Sequence, residues 1–480
     1  MAEESLKNKA VKGTIWSAVE RFSIQGVQFL VMLIMARLLS PSDYGLVGML
    51  TVFMAVAQVF IYSGFGNALV RKQDRTQTDC STVFYFNLVM SVIMYAILFL
   101  IAPLIADFYN EPQLTVITRV IGVTLIINAF GAIQGVLKSA EIDFKIIAKV
   151  SVINAVFTGL VGIYFAWRGY GVWALVLSSL VGSISGAVLG WFVYGWRPSW
   201  SFSTKSFKEF FGYGSKLAAS GLLDTLYNNI YNLVIGKVYN ASDLGYYTRA
   251  ANFSTFPSSN ITGVVSRVTF PLLCKIQNDD ERLQIVYRKF LRLSAYIVFP
   301  LMVGLAIVAH PMINVLIGEK WAFSATLLTI ICFSMMWYPV HAINLNLLQV
   351  KGRSDLFLRL EIIKKINGVI MLCITVPIGI IAMCWGGICT SIIALVINTY
   401  YTGKLIHVGF LRQMMDLIPT LVYCAVMAMA VIAATYFVSS DYMRLIIGIP
   451  VGAVVYLGVS KLTKAPELTE LILLINRKNG

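Results

Sequence analysis

The residues able to do chemistry in this 480-residue chain are few, and they sit inside apolar runs. Ser17, Arg21, Gln25 and Gln28 fall within about 40° of Arg21 on a helical wheel of 100° per residue. Ser220, Asp224, Asn228 and Tyr231 form a second stripe of the same kind around Asp224. Arg249, Phe253, Phe256, Asn260 and Arg267 form a third. Its two arginines lie roughly 27 Å apart along a helix rising 1.5 Å per residue. A charge at mid-helix in a bilayer costs at least ~2.5–3.5 kcal/mol on insertion scales, so such residues face a bundle interior or a wet cavity. The chemistry implied is shelter for a polar solute crossing an apolar slab, with no bond made or broken. Arg21, Arg249 and Arg267 outweigh Glu20 and Asp224, which favours an anionic solute. His310, His341 and His407 have no metal-ligand spacing. Cys384 and Cys389 have neither zinc nor redox spacing. No Walker loop is present, so the driving force falls to an ion gradient, H⁺ or Na⁺, or to downhill consumption of product.

The elements that must carry these stripes are membrane helices. Hydrophobic residues make up 58% of the chain and charged residues 13%, with mean hydropathy +0.77. Soluble domains run at about 45–50% apolar and about 25% charged. A crossing helix needs ~20 mainly apolar residues. Runs of that kind give fourteen candidates, from 14–39 to 442–461. The most polar are 213–239 and 245–273, and a short break near Cys384–Gly387 separates 362–383 from 386–406. The first run is too long for a cleaved signal and reads as a retained span.

The net charge of +15 then becomes a statement about orientation. With the N-terminus inside, about thirty of the 38 Lys and Arg fall on cytoplasmic segments and about seven on outer ones. An even number of spans with both termini cytoplasmic follows, and the case for nucleic acid largely disappears.

The chain also repeats itself. Arg37-Leu38-Leu39-Ser40-Pro41-Ser42-Asp43-Tyr44-Gly45 matches Lys237-Val238-Tyr239-Asn240-Ala241-Ser242-Asp243-Leu244-Gly245 at an offset of 200 without a gap. Ser-Asp before a helix is N-cap chemistry, and convergence on a good cap is the bland alternative. The basic residue and the Gly at matching positions go beyond a cap. Six spans separate the copies, so the halves share one orientation. Transporters with parallel repeats place substrate between the halves and rock them.

With Ala10-Val11-Lys12-Gly13-Thr14-Ile15-Trp16-Ser17, Gly64-Phe65-Gly66-Asn67-Ala68-Leu69-Val70-Arg71 and Val268-Thr269-Phe270-Pro271, these motifs resemble those of bacterial polysaccharide exporters. Those are Wzx-type lipid-linked oligosaccharide flippases of the multidrug/oligosaccharidyl-lipid/polysaccharide exporter superfamily. The resemblance implies an all-α polytopic membrane protein of the bacterial inner membrane. It implies two six-helix lobes around a central cavity, here 1–200 and 201–412, with two added helices and a cytoplasmic tail in 413–480. It implies undecaprenyl-diphosphate oligosaccharide as substrate, moved to the periplasmic leaflet. Glycosyltransferases and a glycan polymerase of the same pathway are the implied partners.

On that footing Arg21 is a phosphate contact, since a guanidinium can fork onto phosphate oxygens; neutralisation by Glu20 or snorkelling is the alternative. Arg249 and Arg267 mark the ends of a polar path, or snorkel to the two interfaces. Gln25, Gln28, Asn228, Tyr231, Phe253 and Asn260 line that path, and aromatic rings stack on sugars. Asp224 either binds the coupling ion or partners a span arginine. Pro257 removes a backbone donor and serves as a hinge. Tyr338 and Asn344 are possible glycan contacts, and a lone His341 reads as hydrogen-bonded structure. The rivals are a cation-coupled multidrug exporter of the same superfamily and a membrane glycan polymerase or ligase. The latter needs a large outer loop, whereas the longest here, His310 to Ala322, has about thirteen residues.

Overall fold

Backbone polar groups have no water to bond in hydrocarbon, so long apolar runs close their hydrogen bonds within helices. The computed structural model describes residues 23–62, 64–141 and 144–476, and these are helical with no strand among them. In chain order the helices are α1 (Ser23–Leu38), α2 (Pro41–Tyr62), α3 (Phe65–Arg71), α4 (Gln77–Tyr109), α5 (Gln113–Ala140), α6 (Phe144–Trp167), α7 (Val172–Val193), α8 (Thr204–Asn228) and α9 (Ile230–Val238). Then follow α10 (Ala241–Lys275), α11 (Asp280–Ile307), α12 (Ala309–Ile317), α13 (Ala322–Met335), α14 (Tyr338–Val350), α15 (Ser354–Thr375), α16 (Ile380–Ile406), α17 (Phe410–Thr435), α18 (Asp441–Leu462) and α19 (Pro466–Asn476).

Among the described residues, ten stretches are long and apolar enough to cross a membrane. The other expected spans coincide with α1, with α8 and α9, with α10 and with α15, all helical but shorter or more polar. Three expectations need correction. Cys384–Gly387 lies inside α16, and the break before it falls at Val376–Gly379. There Pro377 lacks a donor, and Gly379 takes φ 136°, a conformation that favours glycine. The expected span 213–239 is interrupted at Asn229, whose side-chain amide donates to the Thr225 carbonyl at 2.9 Å and competes with the ladder. The segment His310 to Ala322 is mostly α12 and a 3-10 turn at Glu319–Trp321, with Trp321 fully buried.

The chain forms two compact units, Met1–Gly245 and Tyr246–Gly480. In the first, α8 packs on α2, α3 and α4, and α9 packs on α2. Its core holds Phe65, Phe84, Leu69 and Phe210, flanked by Trp191 and Trp196. The connection from α7 to α8 is fastened to the start of α4. Trp196 Nε1 donates to Gln77 Oε1 at 2.8 Å, and the Ser203 amide donates to Thr82 Oγ1 at 3.0 Å.

In the second unit the C-terminal helices are integral. Arg288 of α11 grips Asp416 of α17 with a two-pronged bond, Nε to Oδ2 at 2.7 Å and Nη2 to Oδ1 at 2.6 Å. Tyr456 of α18 donates its hydroxyl to the Tyr296 carbonyl at 2.7 Å. The expected cytoplasmic tail is helix α19, held to α11 by Lys289–Glu470 and Arg292–Glu467 ion pairs.

The repeated turn has a structural reason within the first unit. Helix α2 starts after Ser40, and Asp43 reaches back to the Ser40 amide at 2.8 Å while Ser40 Oγ accepts from the Asp43 amide at 3.2 Å. Helix α10 starts after Asn240, which accepts from the Asp243 amide at 2.9 Å and donates to Asp243 at 2.8 Å. The aspartates are therefore third-position partners of the cap residue, a reciprocal arrangement. The glycines matter differently. A Cβ on Gly45 would land on the carbonyl oxygen of Ala241, and a Cβ on Gly245 would land on that of Pro41. The two helix starts touch backbone to backbone, each through the glycine that the repeat preserves.

Overpacking a close contact costs about 1–3 kcal/mol. Gly45→Ala and Gly245→Ala should each lower the melting temperature of the detergent-solubilised protein. The double variant should lose less than the sum, because one intrusion already parts the seam. Gly263→Ala, where an added Cβ meets nothing within 4 Å, should lose nothing.

Candidate functional site

In the first unit the candidates lie on α1, α8 and α9. Arg21 lies outside the described residues, as do Ser17 and Glu20. Gln25 of α1 is half-buried and Gln28 is exposed. On α8, Asp224 and Asn228 are both exposed. Tyr231 falls beyond the interruption at Asn229, in α9, so a single straight wheel does not describe its direction. Thus α8 presents Asp224 and Asn228 one turn apart on the same open face, with the helix ending between Asn228 and Tyr231.

In the second unit the candidates lie on α10, which runs unbroken through Pro257. Arg249 and Asn260 are half-buried, and Arg267 is exposed. Phe253 turns inward and is 4% exposed, whereas Phe256, one turn on, is 40% exposed. Phe256 is thus the more exposed of the two rings. The inward side of α10 is held by Ser258, whose hydroxyl donates to the Met335 carbonyl at 2.8 Å. It is also held by Tyr246, edge-on to Trp321 at 6.1 Å.

The structure joins polar residues in the second unit that the sequence reading had not brought together. Asn344 of α14 and Gln413 of α17 exchange amide bonds at 3.0 and 3.1 Å, and Thr402 of α16 donates to Asn344 Oδ1 at 2.6 Å. Asn344 is 1% exposed and spends its side chain on this lock, which removes it as a glycan contact. His341, one turn earlier, bonds Ser391 and Asn398 of α16. Tyr338 remains exposed.

The pattern was present in sequence. Ser391, Asn398 and Thr402 recur at helical spacing, as do Gln413, Asp416 and Thr420. Each set is masked by the strongly apolar run around it. These buried groups join α14, α16 and α17 because an unpaired amide in such surroundings is costly.

Asp416 is almost fully buried and its Arg288 partner about one-third open. Removing the carboxylate strands a guanidinium, so Asp416→Ala should cost about 2 kcal/mol in the solubilised protein. Arg288→Lys, which keeps the charge but loses the fork, should cost about half as much by the same thermal measurement.

Comparison with known proteins gives this architecture a family. The model of the family described as "Polysaccharide biosynthesis protein" matches residues 34–326. The chain is 25% identical to the teichuronic acid biosynthesis protein TuaB of Bacillus subtilis (strain 168), over 94% of this chain and 95% of that one. It is 25% identical to the lipopolysaccharide biosynthesis protein WzxC of Escherichia coli (strain K12), over 75% of this chain and 74% of that one. Its fold is similar to that of the lipid II flippase MurJ in an inward closed conformation, with TM-score 0.76 and 15% identity, over 94% of this chain and 98% of that one. The chain belongs to the polysaccharide biosynthesis protein family.

Proposed function

We propose that this protein flips an undecaprenyl-diphosphate-linked oligosaccharide from the cytoplasmic to the periplasmic leaflet, as a step in building a surface polysaccharide. The observation that carries this reading is the family match over residues 34–326, joined to a near full-length relative named for teichuronic acid biosynthesis. The stripes add chemical support. A diphosphate needs cations along its route, and Arg21, Arg249 and Arg267 supply them. The glycan needs hydrogen-bonding groups and open rings, and Gln25, Gln28, Asn228, Asn260 and Phe256 supply those.

On this reading fourteen helices form two parallel six-helix lobes and an added pair. The lobes work by alternating access, with Pro257 as a hinge in α10. The seam of Gly45 and Gly245 faces the periplasm, and its parting releases substrate outward. A gradient of H⁺ or Na⁺ drives the cycle, with Asp224 as the carrier in the first unit. Glycosyltransferases supply the substrate and a polymerase consumes it. The protein resides in the inner membrane with both termini cytoplasmic.

The test is complementation in a strain lacking the flippase for a defined lipid-linked glycan, with glycan at the outer leaflet as the readout. Arg249→Ala and Arg267→Ala should each cut export by about tenfold, the factor of one charge-assisted hydrogen bond, at unchanged protein level. Arg→Lys at the same positions should retain part of it. Full export by both alanine variants would remove the arginine path, and no glycan movement by the native chain would overturn the function.

A further inference from the structure

His341 sits on α14 with both ring nitrogens engaged by α16. Its Nε2 lies 3.0 Å from Ser391 Oγ, and its Nδ1 lies 3.2 Å from Asn398 Nδ2. Ser391 and Asn398 are two helical turns apart, so the imidazole is held between them on one face of α16. Hydrogen-bond bookkeeping fixes the charge state. The Ser391 hydroxyl donates to the Ser334 carbonyl at 3.4 Å, which leaves its lone pair to accept from Nε2–H. An amide nitrogen only donates, so Nδ1 is an acceptor. The ring is neutral, with its proton on Nε2.

The other end of the Asn398 amide is unanswered. Asn398 is 1% exposed, and its Oδ1 has no hydrogen-bond partner among the described residues. A buried carbonyl left without a donor is uncommon and costly. The Nε2–H tautomer gives that oxygen nothing. A second proton on Nδ1 changes the balance: if the amide turns over, Oδ1 faces Nδ1–H, and both ring N–H groups have acceptors. The orientation of the amide thus follows the proton on Nδ1.

The charged groups on the elements packed against α14 set the poise. From α15, Lys364 is ion-paired with Glu361. From α11, Arg288 is held by Asp416 of α17. From α16, Lys404 lies over the Tyr400 ring. His341 is half-buried, which leaves a proton a way in.

We propose that His341, with Ser391 and Asn398, is a reversible proton-binding site in which Asn398 turns over on loading. Its use as a coupling site in the second unit rests on the transport reading above; proton binding itself does not.

The chain has three histidines, so ¹⁵N-histidine labelling of the full protein in nanodiscs yields few ring signals, and His341→Gln assigns the one in question. Between about pH 8 and 4, His341 should pass from the Nε2–H tautomer to the doubly protonated ring. Asn398→Leu, which keeps size but removes the acceptor, should weaken proton binding about tenfold, the factor of one hydrogen bond to a charged group. Asn398→Asp should strengthen it. Opposite shifts from one position exclude a general loss of folding. A ring that stays neutral throughout, or one indifferent to both Asn398 variants, overturns the proposal. In the complementation assay, His341→Gln should remove the dependence of export on external pH; retained dependence overturns the coupling role. A native chain that moves no glycan overturns the transport reading while the titration stays readable.

Discussion

A polar group placed in an apolar slab must find its partner inside the protein, and nearly every feature of this chain answers to that constraint. Backbone groups meet it by helix formation, which is why the described residues are mostly helical with no strand among them. Side chains meet it by pairing across helices. Asn344, Gln413 and Thr402 satisfy one another, and Arg288 satisfies Asp416. These ties fix α14, α16 and α17 to the body of the second unit. They also distinguish polar residues that serve the fold from those that stay exposed.

The backbone seam between the two repeated turns follows from a related economy. Two helix starts approach closely only where no side chain intervenes, and Gly45 and Gly245 remove the obstruction from each side in turn. The reciprocal capping by Ser40 and Asp43, and by Asn240 and Asp243, closes the donors that would otherwise be orphaned there. The same turn sequence on each side is why both solve the contact in the same way.

The candidate residues divide along the same line. Phe253 is taken by packing while Phe256 stays open on the same helix. Asp224 and Asn228 stay open on α8, but Tyr231 is redirected by the interruption at Asn229. Periodicity alone treats each of these as a member of a stripe. Only neighbouring helices decide which members of a stripe are used up, because a wheel records angle and not what stands opposite.

The sequence by itself determined the class of protein, the helical character of its segments and the existence of the repeat. Those depend on composition, run length and local capping, which are properties of one stretch of chain at a time. The family too was legible, in the turn beginning at Arg37 and its copy at Lys237. The tertiary structure decided the rest. It placed the break at Val376–Gly379, where Pro377 and Gly379 act on the backbone more strongly than the weak dip in hydropathy near Cys384. It showed that the repeated glycines make one contact, although they are two hundred residues apart. And it set His341 between Ser391 and Asn398. A hydrogen-bond partner is a matter of which faces meet across helices, and no single segment encodes its opposite face.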